Sequence, residues 1–146
     1  MSKEKKVESD KQMEELAEDF IKSLKPYKNK AKVVFLKGEL GAGKTTFTRG
    51  VLQVLGVKKN VTSPTFVLMK KYVLDNKDFK TLYHIDAYRL KEKDGDILGI
   101  NNLEKHKANL IFIEWPERLY KKIPKEAVVI NFLYGKLENE RVVRFS

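Results

Sequence analysis

Val33-Val34-Phe35-Leu36-Lys37-Gly38-Glu39-Leu40-Gly41-Ala42-Gly43-Lys44-Thr45 decides how this chain is read. Four apolar residues in a row, Val33 to Leu36, have the pattern of a strand buried on both faces of a parallel sheet. Gly38 to Thr45 then matches G-x-x-x-x-G-K-[ST] at every fixed position. The glycines let the backbone curl so that successive N–H groups point inward at phosphate oxygens. A helix expected from about Lys44 to Leu55, stopped by Gly56, brings the positive end of its dipole to the same spot. Lys44 is suited to neutralise charge between the β- and γ-phosphates, and the Thr45 hydroxyl to ligate Mg²⁺. Gly41, Ala42, Gly43, Lys44, Thr45 and Thr46 are therefore the expected ATP-binding residues, with ATP and Mg²⁺ as cofactors.

Such a loop needs an acid on a neighbouring strand, to hold the metal or to position water. Leu110-Ile111-Phe112-Ile113 is apolar enough for a central strand and ends at Glu114; Leu82-Tyr83-His84-Ile85 is less apolar and ends at Asp86. Ligands bind at the carboxyl ends of parallel strands. Glu114 is thus expected to share the metal with Thr45, and Asp86 to orient or deprotonate the attacking water. Lys44, Asp86 and Glu114 form the candidate catalytic set; the plainer alternative for either acid is a strand end capped in water. His84 lies two residues before Asp86, so a strand turns both to one face. With His106 the only other histidine, a zinc site is improbable and a hydrogen-bonded place beside the site is expected. Trp115 either packs at the rim of the core or stacks on a base or partner. Arg49 and Arg89 either stabilise transferring phosphate charge or are solvated or paired.

Outward from the loop, Ser9 and Gln12 have capping-box spacing ahead of Met13, Leu16, Ala17, Phe20, Ile21 and Leu24, which predicts an amphipathic helix to about Lys25, stopped by Pro26. Phe66 to Leu74 and Phe79 to Tyr88 read as an antiparallel hairpin across Asp75 to Asp78. Glu92 to Lys107 suggests one or two short helices. Val128 to Leu133 and Arg141 to Phe145 read as late strands joined through Gly135. The expected fold is α/β: a P-loop NTPase-like sheet with a parallel core and antiparallel strands, and helices on both faces. Residues 1–8 are expected as a flexible charged tail, and 9–146 as a single P-loop ATPase domain.

With 146 residues the chain suffices for one core, and the absence of cysteine excludes disulfides and thiolate chemistry and fits a reducing cytoplasm. No apolar run approaches a membrane helix, and no apolar stretch follows the basic start as in a secretory signal. The net charge of +10 suits a polyanionic partner such as nucleic acid, or reflects lysine used as a generic surface residue.

Four motifs in one order carry a resemblance: Gly38 to Thr46, Ser63-Pro64-Thr65-Phe66, His84-Ile85-Asp86-Ala87-Tyr88-Arg89-Leu90 and Ile113-Glu114-Trp115-Pro116-Glu117. From about Ser9 to Arg144 the chain resembles the TsaE (YjeE) family, the small ATPase of tRNA threonylcarbamoyladenosine biosynthesis. The resemblance implies a cytoplasmic ATPase that hydrolyses ATP to permit turnover of a TsaB–TsaD assembly, without performing the transfer itself. It implies phosphate binding by Lys44, Mg²⁺ binding by Thr45 and Glu114, and assistance to hydrolysis by Asp86. Ser63, Pro64, Thr65 and Phe66 would be a mobile segment near the γ-phosphate; they, with His84, Tyr88, Arg89 and Trp115, are candidate switch or partner contacts. Tyr88 and Arg89 enter through the motif alone. Glu39 stands where the family more often has Asp, and Met13 where a small polar residue often nears the base; Arg141 is a candidate on the base side. Two other functions fit the phosphate loop: a kinase of a nucleotide or small metabolite, and a nucleotide-dependent module recruiting tRNA through its basic surface.

Overall fold

In the computed structural model, residues 3–57 and 68–146 are described. Among these residues seven strands form one sheet in the order β1-β7-β6-β2-β5-β4-β3. They are β1 (Lys3–Val7), β2 (Lys32–Gly38), β3 (Met69–Val73), β4 (Thr81–Asp86), β5 (Asn109–Glu114), β6 (Val128–Tyr134) and β7 (Arg141–Phe145). The central strands β6, β2, β5 and β4 run parallel; β3, β7 and β1 pair antiparallel outside them. The expected mixed sheet is the one observed.

Strand periodicity divides the core into two layers. Val34 and Leu36 of β2 join Leu110 and Phe112 of β5 on one face. Covering that face are α1 (Asp10–Ser23), through Met13, Ala17 and Ile21, and α2 (Lys44–Val54), through Phe47, Val51 and Leu52. Phe35, Ile111, Ile113 and Ile85 point the other way, under α3 (Asp94–Leu98) and α4 (Ile100–Leu103). A side-chain period of two makes both faces of β2 and β5 apolar, which is why their sequences read as unbroken hydrophobic runs.

The helix punctuation follows local chemistry. Ser9 Oγ accepts the Gln12 amide at 3.1 Å, and Gln12 Oε1 accepts the Glu8 amide at 2.8 Å. Gly56, at φ +84°, ends α2 with its amide on Gln53 O while the Val57 amide reaches Leu52 O. This is the paired-bond stop that favours glycine in the left-handed region. In the β3–β4 hairpin Asn76 Oδ1 accepts from the amides of Asp78 and Phe79 and builds the connecting turn. Among the described residues no helix is long and apolar enough to cross a membrane.

One expectation needs correction. Most of the charged stretch assigned to a tail is an edge strand, with Lys3 to Val7 registered antiparallel against Phe145 to Arg141. Val7 is buried, and Glu4 meets its cross-strand neighbour Arg144 at 2.7 Å. Alternating charge is how an exposed sheet edge is kept from further pairing, and here it mimics the composition of disorder.

Candidate functional site

A cleft of about 1050 Å³ opens at the carboxyl ends of β2, β4 and β5, between the 39–46 loop, the start of α1 and the 138–141 turn. Gly41 at φ +78° and Gly43 at φ +111° give the loop its curl. A Cβ on Gly43 would lie 2.5 Å from Met13 Cε, so α1 packs directly beneath the loop. Met13 is buried there and also borders the cleft. On the outer side the Tyr134 hydroxyl donates to Leu40 O. Arg141 donates to Gly41 O at 3.3–3.4 Å, and to Glu138 O and Glu140 O at 2.7 and 2.9 Å. These two braces, from β6 and β7, were not singled out as loop supports from sequence. The sequence suggests Arg141 only for the base side, and roughly a hundred intervening residues carry no local signal of the contact.

Lys44, Thr45, Thr46, Asp86 and Glu114 all line this cleft. Lys44 is 6% exposed; its ammonium donates to Gly38 O at 2.5 Å, sits 3.6 Å from Glu114 Oε1 and lies 4.7 Å above the Trp115 ring. Glu114, 4% exposed, follows the buried β5 run as expected. Burial opposes ionisation of its carboxyl, but the hydrogen bond from His84 and the charge and hydrogen bond of Lys44 outweigh it and hold the group below the usual carboxylate range. Asp86 stands in register beside Glu114 across the β4–β5 pair, and its Oδ1 accepts the Tyr88 amide at 3.0 Å. Among the described residues no three acidic or histidine side chains converge to bind a metal by themselves. Ala42 is fully buried and its amide donates to Glu39 O at 3.1 Å, so in this conformation that N–H serves the loop's own turn.

The remaining candidates separate by exposure. His84 is completely buried and bonds Glu114 Oε2 at 2.6 Å, which gives it no surface for a partner. Tyr88 is half exposed and packs edge-on against Trp115 at 5.0 Å, with the Arg118 guanidinium 5.3 Å from the Tyr88 ring. Trp115 takes a left-handed backbone, φ 56° and ψ 52°, that aims its ring back at Lys44 and into the cleft rim. Arg89 borders the cleft, whereas Arg49 pairs with Glu14 at 3.8 Å. Ser63, Pro64, Thr65 and Phe66 lie outside the described residues.

The family model described as "Threonylcarbamoyl adenosine biosynthesis protein TsaE" matches residues 7–143, from the end of β1 into β7, and includes the whole cleft. The chain belongs to the TsaE family. A tRNA threonylcarbamoyladenosine biosynthesis protein TsaE of Haemophilus influenzae is 39% identical over 112 residues, 76% of this chain and 68% of that protein. One of Bacillus subtilis is 39% identical over 114 residues, 78% of this chain and 68% of that protein. The crystal structure of Bacillus subtilis YdiB superimposes with a TM-score of 0.78 at 26% identity, over 99% of this chain and 84% of that one. Membership in the TsaE family places this chain in tRNA threonylcarbamoyladenosine biosynthesis.

Proposed function

We propose that this chain binds Mg²⁺–ATP in the cleft and hydrolyses it as the cytoplasmic ATPase subunit that supports turnover of a TsaB–TsaD complex. The observation that carries the reading is the convergence of Lys44, Thr45, Asp86 and Glu114 on a glycine loop at one end of the parallel strands. Lys44 would leave the Gly38 carbonyl for the β- and γ-phosphates, with the loop amides and the α2 N-terminus bearing the rest of the charge. The Thr45 hydroxyl and the Glu114 carboxylate are hard oxygen donors, and a Mg²⁺ ion commonly takes only one or two protein carboxylates beside phosphates and water. The donor set fits Mg²⁺, which would neutralise charge on the transferring phosphoryl group.

The chemistry is in-line attack of water on the γ-phosphorus, with Asp86 orienting the water and catalysis arising from positioning and charge neutralisation. Arg141 is committed to backbone carbonyls and Arg89 stands at the rim of the cleft, so slow turnover in isolation and acceleration by partners are expected. Tyr88, Arg89 and Trp115, at the rim, are the residues through which a partner would reach the phosphate site, together with Ser63 to Phe66. A direct tRNA contact would use the basic surface and weaken steeply with salt.

The alternative of a metabolite kinase calls for a lid over the cleft. Residues 94–103 instead cover the opposite face of the sheet from α2, with Ile100 buried in that layer. Calorimetry with Mg²⁺–ATP, followed by turnover measured with and without TsaB–TsaD, tests the proposal. Absence of magnesium-linked affinity, or fast hydrolysis indifferent to the partners, would overturn it.

A further inference from the structure

We infer that His84 is a positioning residue that clamps the Glu114 carboxylate, keeping it in place for the cation and off the Lys44 ammonium. The inference rests on the Mg²⁺–nucleotide reading of the cleft and adds a role for a side chain that does not face the ligand. Asp86 is the direct neighbour of Glu114 across the β4–β5 pair, and His84 is the neighbour of Phe112. His84 therefore approaches Glu114 diagonally from below, on the same face of the sheet.

Hydrogen-bond chemistry defines the contact. A carboxylate only accepts, so at 2.6 Å from Glu114 Oε2 the ring nitrogen Nε2 carries the proton. Nδ1 is buried with no partner among the described residues. Among the described residues a proton there would find no acceptor, and a buried N–H left unpaired is costly. The arrangement accordingly selects the tautomer with hydrogen on Nε2 and a bare Nδ1.

The clamp has two consequences. It ties down Oε2 and leaves Oε1 as the oxygen toward Lys44, at 3.6 Å. Charge-assisted N–H···O contacts close to about 2.7–2.9 Å when nothing restrains them, and here Gly38 O holds the ammonium while His84 holds the carboxylate. Lys44 and Glu114 are both more than nine-tenths buried, where their attraction is strong. Released from His84, the carboxylate would swing onto the ammonium, and nucleotide binding would then have to break that pair before Lys44 met phosphate. Held by His84, Glu114 stays near Lys44 without capturing it.

The test uses the full chain with His84→Gln, whose amide retains an N–H donor, and His84→Leu, which has none. Calorimetry gives the ATP affinity of each with Mg²⁺ and with a chelator. The ratio of the two should fall about tenfold or more in His84→Leu, in line with the loss of a partner that orients a metal ligand, and stay within about threefold of wild type in His84→Gln. A folded His84→Leu with the wild-type ratio, or equal losses in both variants, overturns the inference. Should His84→Leu not fold, ¹⁵N spectra of the wild type decide, since the chain has only two histidines to assign. A protonated Nε2 and bare Nδ1 at His84 support the clamp; the reverse pattern overturns it. If wild-type protein shows no magnesium-linked affinity, the functional reading fails, and the spectra still report on the His84–Glu114 bond independently.

Discussion

Lys44 meets three different groups, a carbonyl, a carboxylate and an indole face, and none of them is a full substitute for phosphate. A hydrogen bond to a charged group contributes about 1.5–3 kcal/mol, so Lys44→Ala should weaken ATP binding roughly 10- to 100-fold by calorimetry. Glu114 links the same site to pH. Its folded-state acidity lies below the ordinary value of 4.5, so its stabilising contribution is present above that value and is lost as pH falls through the lowered one. Denaturation measured from neutral pH downward should show a steeper acid loss in wild type than in Glu114→Gln, which keeps the shape but cannot ionise. At this scale the residues were legible as types and positions: a lysine and threonine opening a helix, and acids ending apolar runs. The His84–Glu114 bond was not, because it depends on a strand register between segments 30 residues apart.

The elements were legible where a local rule governs them. A capped amphipathic run became α1, the β3–β4 hairpin turned at Asn76, and two apolar tetrapeptides became β2 and β5. The start of the chain was misread because lysine and glutamate in alternation describe an edge strand as well as a tail. Another consequence of packing lies between helices. A Cβ on Gly50 would approach Ala17 Cβ and the backbone of Glu14 within 2.9 Å, so α1 and α2 touch where no side chain fits. Backbone cannot yield as a flexible side chain would, and Gly50→Ala should destabilise the fold by about 1–3 kcal/mol. Urea denaturation should report this as a lower midpoint with an unchanged slope. Because α1 also carries Met13 beneath Gly43, the same variant should loosen the glycine loop and, on the proposed function, weaken ATP binding.

On the scale of the whole molecule the cleft joins segments from both ends of the chain: Val7 to Met13, the 39–46 loop, Asp86 to Arg89, Glu114 and Trp115, and Glu138 to Arg141. A ligand that binds only the folded state at about 100 times its dissociation constant adds about 2.7 kcal/mol. For a chain of this size roughly 2–4 °C accompanies each kcal/mol, so saturating Mg²⁺–ATP should raise the melting temperature by about 5–10 °C. Scanning calorimetry should show that shift in wild type and little of it in Lys44→Ala. By itself the sequence determined the glycine loop, the order of elements from the first helix onward, the two acids and the family resemblance, because hydrophobic period, glycine placement and motif spacing act over a few residues. Tertiary structure alone decided that a lysine-rich start pairs as an edge strand, that Tyr134 and Arg141 brace the loop, and that His84 holds Glu114. Those contacts depend on strand order and register, which arise when the buried layers pack together and are written in no single stretch of chain.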